Sequence, residues 1–158
     1  LGCFLGDQIP QRVTASCTRA AGQRARPPLL GQASVEYESA QAQLFFNGNC
    51  PRGSSDTTII VGTEGTLIST GPDLKQQQVT LYRGQDVQTP ELAGTWFPGG
   101  FHGTMGELLS AIEADREPEI SAANNLHSLA LCFAAVHSAE QGKTVVPGSV
   151  TQISELTL

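Results

Sequence analysis

Apolar and polar positions alternate in steps of two through much of the first half of the chain, then recur in steps of three and four after Phe101. In RVTASCT (12–18), Val13, Ala15 and Cys17 interleave with Thr14 and Ser16, which predicts a strand with two different faces. ASVEY (33–37) and AQLFFNG (42–48) predict a hairpin turning at Glu38, Ser39 and Ala40. TTIIVG (57–62) and TLIS (66–69) predict a second hairpin, with Gly65 supplying any positive φ that its turn requires. VTLYR (79–83) adds a strand, KTVVP (143–147) a closing one and SVTQI (149–153) a short edge. Between them, Gly and Pro mark residues 19–31, 50–56 and 71–77 as loops, and 84–100 is mostly irregular.

Helical spacing appears three times. Leu1, Phe4 and Leu5 form a short apolar face that Gly6-Asp7 and Pro10 terminate. Thr104 and Glu107 have the spacing of a capping box, followed by Met105, Leu108, Leu109 and Ile112 on one face and stopped at Glu117-Pro118. Ser121 or Asn124 caps a last helix, whose expected buried stripe is Leu126, Leu129, Ala130, Phe133, Val136 and His137 and whose stop is Gly142. Consecutive strands without intervening helices, then two helices together, predict an α+β domain. Its expected form is an open, mainly antiparallel sheet of about six or more strands with two to three helices on one face, the whole of 1–158 being one domain.

Alternation assigns the faces. Val13, Val35, Leu44, Phe46, Ile59, Val61, Val79 and Leu81 are expected under the helices. Thr14, Ser34, Glu36, Gln43, Phe45, Ile60, Thr80 and Tyr82 are expected on the other side. Large apolar groups among Thr, Ser and Gln resemble a protein–protein surface, so Gln43, Phe45, Ile60 and Tyr82 are candidates for a homo-oligomer (dimer) interface.

Charge narrows the partners. The net charge is −6, and the single basic cluster is Arg19, Arg24 and Arg26 with no aromatic platform beside it, which argues against nucleic acid. No apolar run approaches the ~20 residues of a membrane-spanning helix. Cys3, Cys17, Cys50 and Cys132 form no C-x-x-C pair, so no metal site is expected; they read as reduced thiols in or near a core, consistent with a cytoplasmic protein. The chain opens on LGCFLGD, without Met and with apolar residues crowded at the end, and is expected to be the rear part of a longer protein.

Little chemistry is visible. There is no glycine-rich phosphate loop after a strand and no G-x-S-x-G elbow. His127 and His137 read as capping or structural residues. His102, in WFPGGFHGT between glycines and a helix start, is the candidate for touching a polar substrate, with Trp96 and Phe101 as flat apolar walls of a cleft.

Four stretches in order resemble the C-terminal domain of the glucose–fructose oxidoreductase / inositol dehydrogenase (Gfo/Idh/MocA) family: LGCFLGDQIPQRVTA, IIVGTEGTLI, FHGTMGELLSAIE, and REPEISAANNLHSLALCFAAVHSAEQGKTV. The resemblance implies a two-domain, NAD- or NADP-dependent oxidoreductase acting on a small molecule such as a sugar or polyol. An N-terminal Rossmann domain would bind the dinucleotide, and the catalytic residues would lie upstream of Leu1. This chain would then hold no cofactor and be inactive by itself. The competing expectation is a non-enzymatic α+β module that self-associates or binds a partner through its sheet.

Overall fold

The computed structural model describes residues 8–71, 73, 76–119 and 121–153. The apolar turn expected at Leu1–Leu5 lies outside them. The fold is α+β with open antiparallel sheets, as the pattern predicts, but the strands form two hydrogen-bonded ladders, not one. They belong to two compact units: residues 1–49 with 120–158, and residues 50–119.

The first unit is a three-stranded meander of β1 (Arg12–Thr18), β2 (Leu30–Glu36) and β3 (Gln41–Asn47). The β2–β3 turn closes where the sequence places it, with Tyr37 N–H donating to Ala40 O at 2.9 Å. The register Val13↔Val35↔Ala42 and Ala15↔Ala33↔Leu44 puts these residues on one face. A 20-residue helix (Ala122–Gln141) packs on β1 on this side. Ser121 caps its start by accepting from Asn124 N–H, and Gly142 at φ 63° ends it in the left-handed conformation glycine tolerates.

The helix does not bury the expected stripe. Leu126, Leu129 and Val136 are exposed, while Leu131, Ala134, Ala135 and Ser138 face Val13, Val35, Tyr37 and Val145. After Leu131, the small residues Ala134, Ala135 and Ser138 at i+3, i+4 and i+7 let the helix backbone come close to the sheet, which a row of leucines would hold away. Ser138, fully buried, accepts the Ala15 N–H at 2.9 Å. Val13 and Val145 exchange two backbone bonds, and Thr14 and Thr144 hydroxyls meet at 2.8 Å. The outer edge of β1 is thus occupied at Val13 and Ala15. The expected closing strand is reduced to this one bridge, and SVTQI forms no strand.

The second unit is a four-stranded meander of β4 (Asp56–Val61), β5 (Thr66–Gly71), β6 (Gln78–Arg83) and β7 (Asp86–Gln88), followed by a π-type turn at Trp96–Gly100 and a helix at Phe101–Glu113. In chain order the two helices are α1 (Phe101–Glu113) and α2 (Ala122–Gln141). Gly65 does not take a positive φ; a Cβ there would lie 2.3 Å from Tyr82 O, so close approach of β6 excludes a side chain. Gly84 does take one, at φ 61°, in the tight β6–β7 turn that the sequence reading passed over.

The faces of this sheet differ from those expected. Ile59 aligns across β5 with Thr80, and Val61 with Tyr82 and Val87; Ile60 aligns with Leu67 and Leu81. The expected set Ile59, Val61, Val79 and Leu81 is therefore split between two faces. One residue of register at the β5–β6 loop decides this, and a one-residue slip exchanges every side chain between faces.

Candidate functional site

The aromatic turn before α1 brings the sequence-predicted wall together. Trp96 and Phe97 meet edge to face at 6.1 Å between ring centres, and Phe97 and Phe101 lie 5.2 Å apart. The Thr95 hydroxyl donates to Phe97 O and fixes the approach to the turn. His102 follows Phe101 in the first turn of α1, and all three candidates, Trp96, Phe101 and His102, are exposed. Cβ atoms added at Gly99 or Gly103 would meet nothing within 4 Å, so these glycines leave the surface beside the rings open.

The capping box does not form. The helix starts at Phe101 behind Gly100, three residues before Thr104, and no side chain caps it. Thr104 instead donates to Gly100 O at 2.9 Å, the back-bond of a threonine inside a helix. Glu107 is used elsewhere. Both of its oxygens take the Arg116 guanidinium, at 2.7 and 2.8 Å, and Oε1 also accepts Glu119 N–H at 2.9 Å. The Arg116 hydrogen bonds, with the Glu119 amide second, hold the Glu107 carboxyl down at about 2. This clasp ties the exit of α1, where Asp115 sits at φ 49°, to the helix body.

Met105, Leu108, Leu109 and Ile112 form the apolar row that the spacing predicts, but the row is open to solvent, Ile112 at 67 %. With Trp96, Phe97 and Phe101 it makes a continuous sequence of exposed apolar groups; of α1 only Ala111 is buried.

The oligomer-face candidates are divided between the two sheets. Gln43 and Phe45 lie on the open face of the first sheet with Thr14, Ser16, Gln32 and Ser34, around a shallow hollow of about 430 Å³; Phe45 is 77 % exposed. Ile60 and Tyr82 lie on opposite faces of the second sheet. A second hollow of about 790 Å³ is lined by Gln8, Ile9, Gln11, Glu38, Ser39 and Pro147. The sequence reading missed it, because its lining comes from a turn and two flanking segments with no shared period. Neither hollow includes Trp96, Phe101 or His102.

Cys17, Cys50 and Cys132 are free and exposed, contrary to their expected place in or near a core: Cys17 lies at the end of β1 beyond the helix, Cys50 in the break after β3, Cys132 on the outward side of α2. Among the described residues no three His, Cys, Asp or Glu side chains could hold a metal, and no helix is long and apolar enough to cross a membrane.

No known protein family and no curated protein matches the chain by sequence. Its backbone, however, matches solved structures. An aldose-aldose oxidoreductase from Caulobacter crescentus, complexed with glycerol, superposes with a TM-score of 0.71 at 19% identity, over 88% of this chain and 42% of that one. An oxidoreductase from Agrobacterium radiobacter in complex with NAD+, L-tartaric acid and magnesium gives 0.73 at 18%, over 89% and 44%. The WlbA dehydrogenase from Bordetella pertussis, in complex with NADH and UDP-GlcNAcA, gives 0.62 at 20%, over 90% and 40%. The fold is therefore similar to that of the matched part of these proteins. It agrees with the fold that the four sequence stretches imply, and the chain spans less than half the length of each of these proteins.

Proposed function

We propose that this chain is the substrate-side domain of a nicotinamide-dependent oxidoreductase of the Gfo/Idh/MocA type, acting on a sugar or polyol-like molecule. One observation carries the reading: about nine-tenths of the chain superposes on oxidoreductases that include complexes with NAD+ and with NADH. The described residues do not fit the dinucleotide itself. Every ladder is antiparallel, whereas a nucleotide crevice of the Rossmann kind needs parallel strands and a glycine-rich strand-to-helix turn. The cofactor, NAD or NADP, and the acid–base residues are therefore assigned to sequence outside this chain, and no step of hydride transfer is routed through these residues.

What the chain offers is a wall. Trp96 and Phe101 present flat apolar surfaces of the kind that stack on the C–H face of a sugar ring, and the His102 imidazole can exchange hydrogen bonds with a hydroxyl. In the longer gene product, Phe101→Ala and His102→Ala are expected to raise KM for the best aldose or polyol by about tenfold or more, with little change in kcat. Unchanged KM in both variants contradicts the wall assignment.

A second reading, a module that self-associates through its sheets, is favoured by the exposed row Ile59, Val61, Tyr82 and Val87 on one face of the second sheet and by Phe45 on the first. The two readings are compatible, since a substrate-side domain can also carry the oligomer contacts.

A further inference from the structure

The loop between β1 and β2 is built around one side chain. Gln23 Oε1 accepts Ala20 N–H at 3.0 Å and Leu29 N–H at 3.3 Å, while its Nε2 donates to Ala25 O at 2.8 Å and Pro27 O at 2.6 Å. The Arg19 guanidinium adds bonds to Gln23 O at 3.4 Å and Ala25 O at 3.2 Å. Six hydrogen bonds thus converge inside a surface loop. Ordering a loop backbone costs conformational entropy, and this hub offsets part of that with no contribution from a core.

The hub holds up charge. Arg24 and Arg26 are exposed and form no ion pair with any described residue. No carboxylate occurs between Asp7 and Glu36, a stretch with four arginines, although the chain as a whole carries −6. Arg12, the first of the four, is neutralised by Glu36, which leaves the loop as a basic island on an acidic protein.

We propose that this loop is a preorganised docking point for a carboxylate-rich segment of a partner polypeptide. The direction of the backbone groups selects the ligand class. A single phosphate is held by converging amide N–H groups or a helix start. Here the Ala20 and Leu29 amides turn inward onto Gln23, and the groups left facing out are guanidinium forks, each suited to a separate carboxylate. The chain's net charge of −6 opposes such a segment over the molecule as a whole, so the local excess of arginine sets where it lands.

Fluorescently labelled poly-L-glutamate, followed by anisotropy with the full 158-residue chain, tests this. Binding is expected at ~0.01 M salt and should fade by ~0.15 M, as the Debye length falls from about 30 to about 8 Å. Arg24→Ala/Arg26→Ala should weaken low-salt binding about tenfold or more, Arg52→Ala should not, and Gln23→Ala should weaken it with no change of charge. Absence of low-salt binding overturns the proposal, as does equal loss in Arg52→Ala. Displacement by inorganic phosphate, but not by chloride at matched ionic strength, also overturns it in favour of a phosphate site.

Discussion

Ser138 and Glu107 show how single side chains hold each unit. Replacing Ser138 by Ala removes the acceptor for the part-buried Ala15 amide, and should destabilise the first unit by about 1–3 kcal/mol in urea unfolding, because the orphaned donor keeps its desolvation cost. Glu107 acts through protonation. Its folded-state pKa, about 2, lies below the ordinary 4.5, so the clasp to Arg116 stabilises above about pH 4.5 and is lost as pH falls towards 2. Glu107→Gln should remove that part of the acid sensitivity: the unfolding midpoints of variant and parent should differ most above about pH 5, draw together as pH falls through about 4, and converge only near pH 2. Both roles were hard to see in the sequence. Glu107 sits where a capping box would use it, and only the position of Arg116 at the helix exit redirects it. Ser138 is a polar residue one step from the row of leucines that draws the eye.

At the level of elements, alternation was enough where a turn fixes the register and failed where it does not. The β2–β3 hairpin was legible because a four-residue turn leaves one register, and Val13, Val35 and Leu44 do share the face that α2 covers. The faces of β4–β6 were not, because residues 71–77 leave the β5–β6 offset open by one residue and parity carries the whole assignment. The strand β7 was passed over because three residues carry almost no periodic signal, though Gly84 between Tyr82 and Val87 marks its turn. The two glycines of this sheet separate two physical causes. Gly65→Ala pushes a methyl group into the Tyr82 carbonyl and should cost about 1–3 kcal/mol, with β6 and β7 losing amide-exchange protection first. Gly84→Ala meets no atom and pays only for its left-handed φ, about 1 kcal/mol.

For the molecule as a whole, the fold class and the resemblance to an oxidoreductase domain could be read from the sequence because both rest on the order of many soft signals. The aromatic stretch with Trp96, Phe101 and His102 could be named from the sequence, but the hollows and the exposed rows could not, because they depend on register and on which face each element turns outward. The apolar groups exposed on the second sheet are what the proposed self-association would cover. Multi-angle light scattering at micromolar concentration should show a dimer or larger species, and Tyr82→Glu, which adds a charge to the row of Ile59, Val61 and Val87, should shift it towards monomer. A parent chain that is already monomeric removes the self-association reading and leaves the oxidoreductase reading untouched.

On the proposed function, this chain shapes a substrate cleft while the nicotinamide site is built by other sequence. Calorimetric titration of NADH and NADPH into the 158-residue chain, alongside the longer gene product, tests it most directly. No heat of binding is expected with the chain alone, and micromolar affinity for at least one of the two is expected with the longer product. Micromolar binding by the chain alone, or none by the longer product, would contradict it.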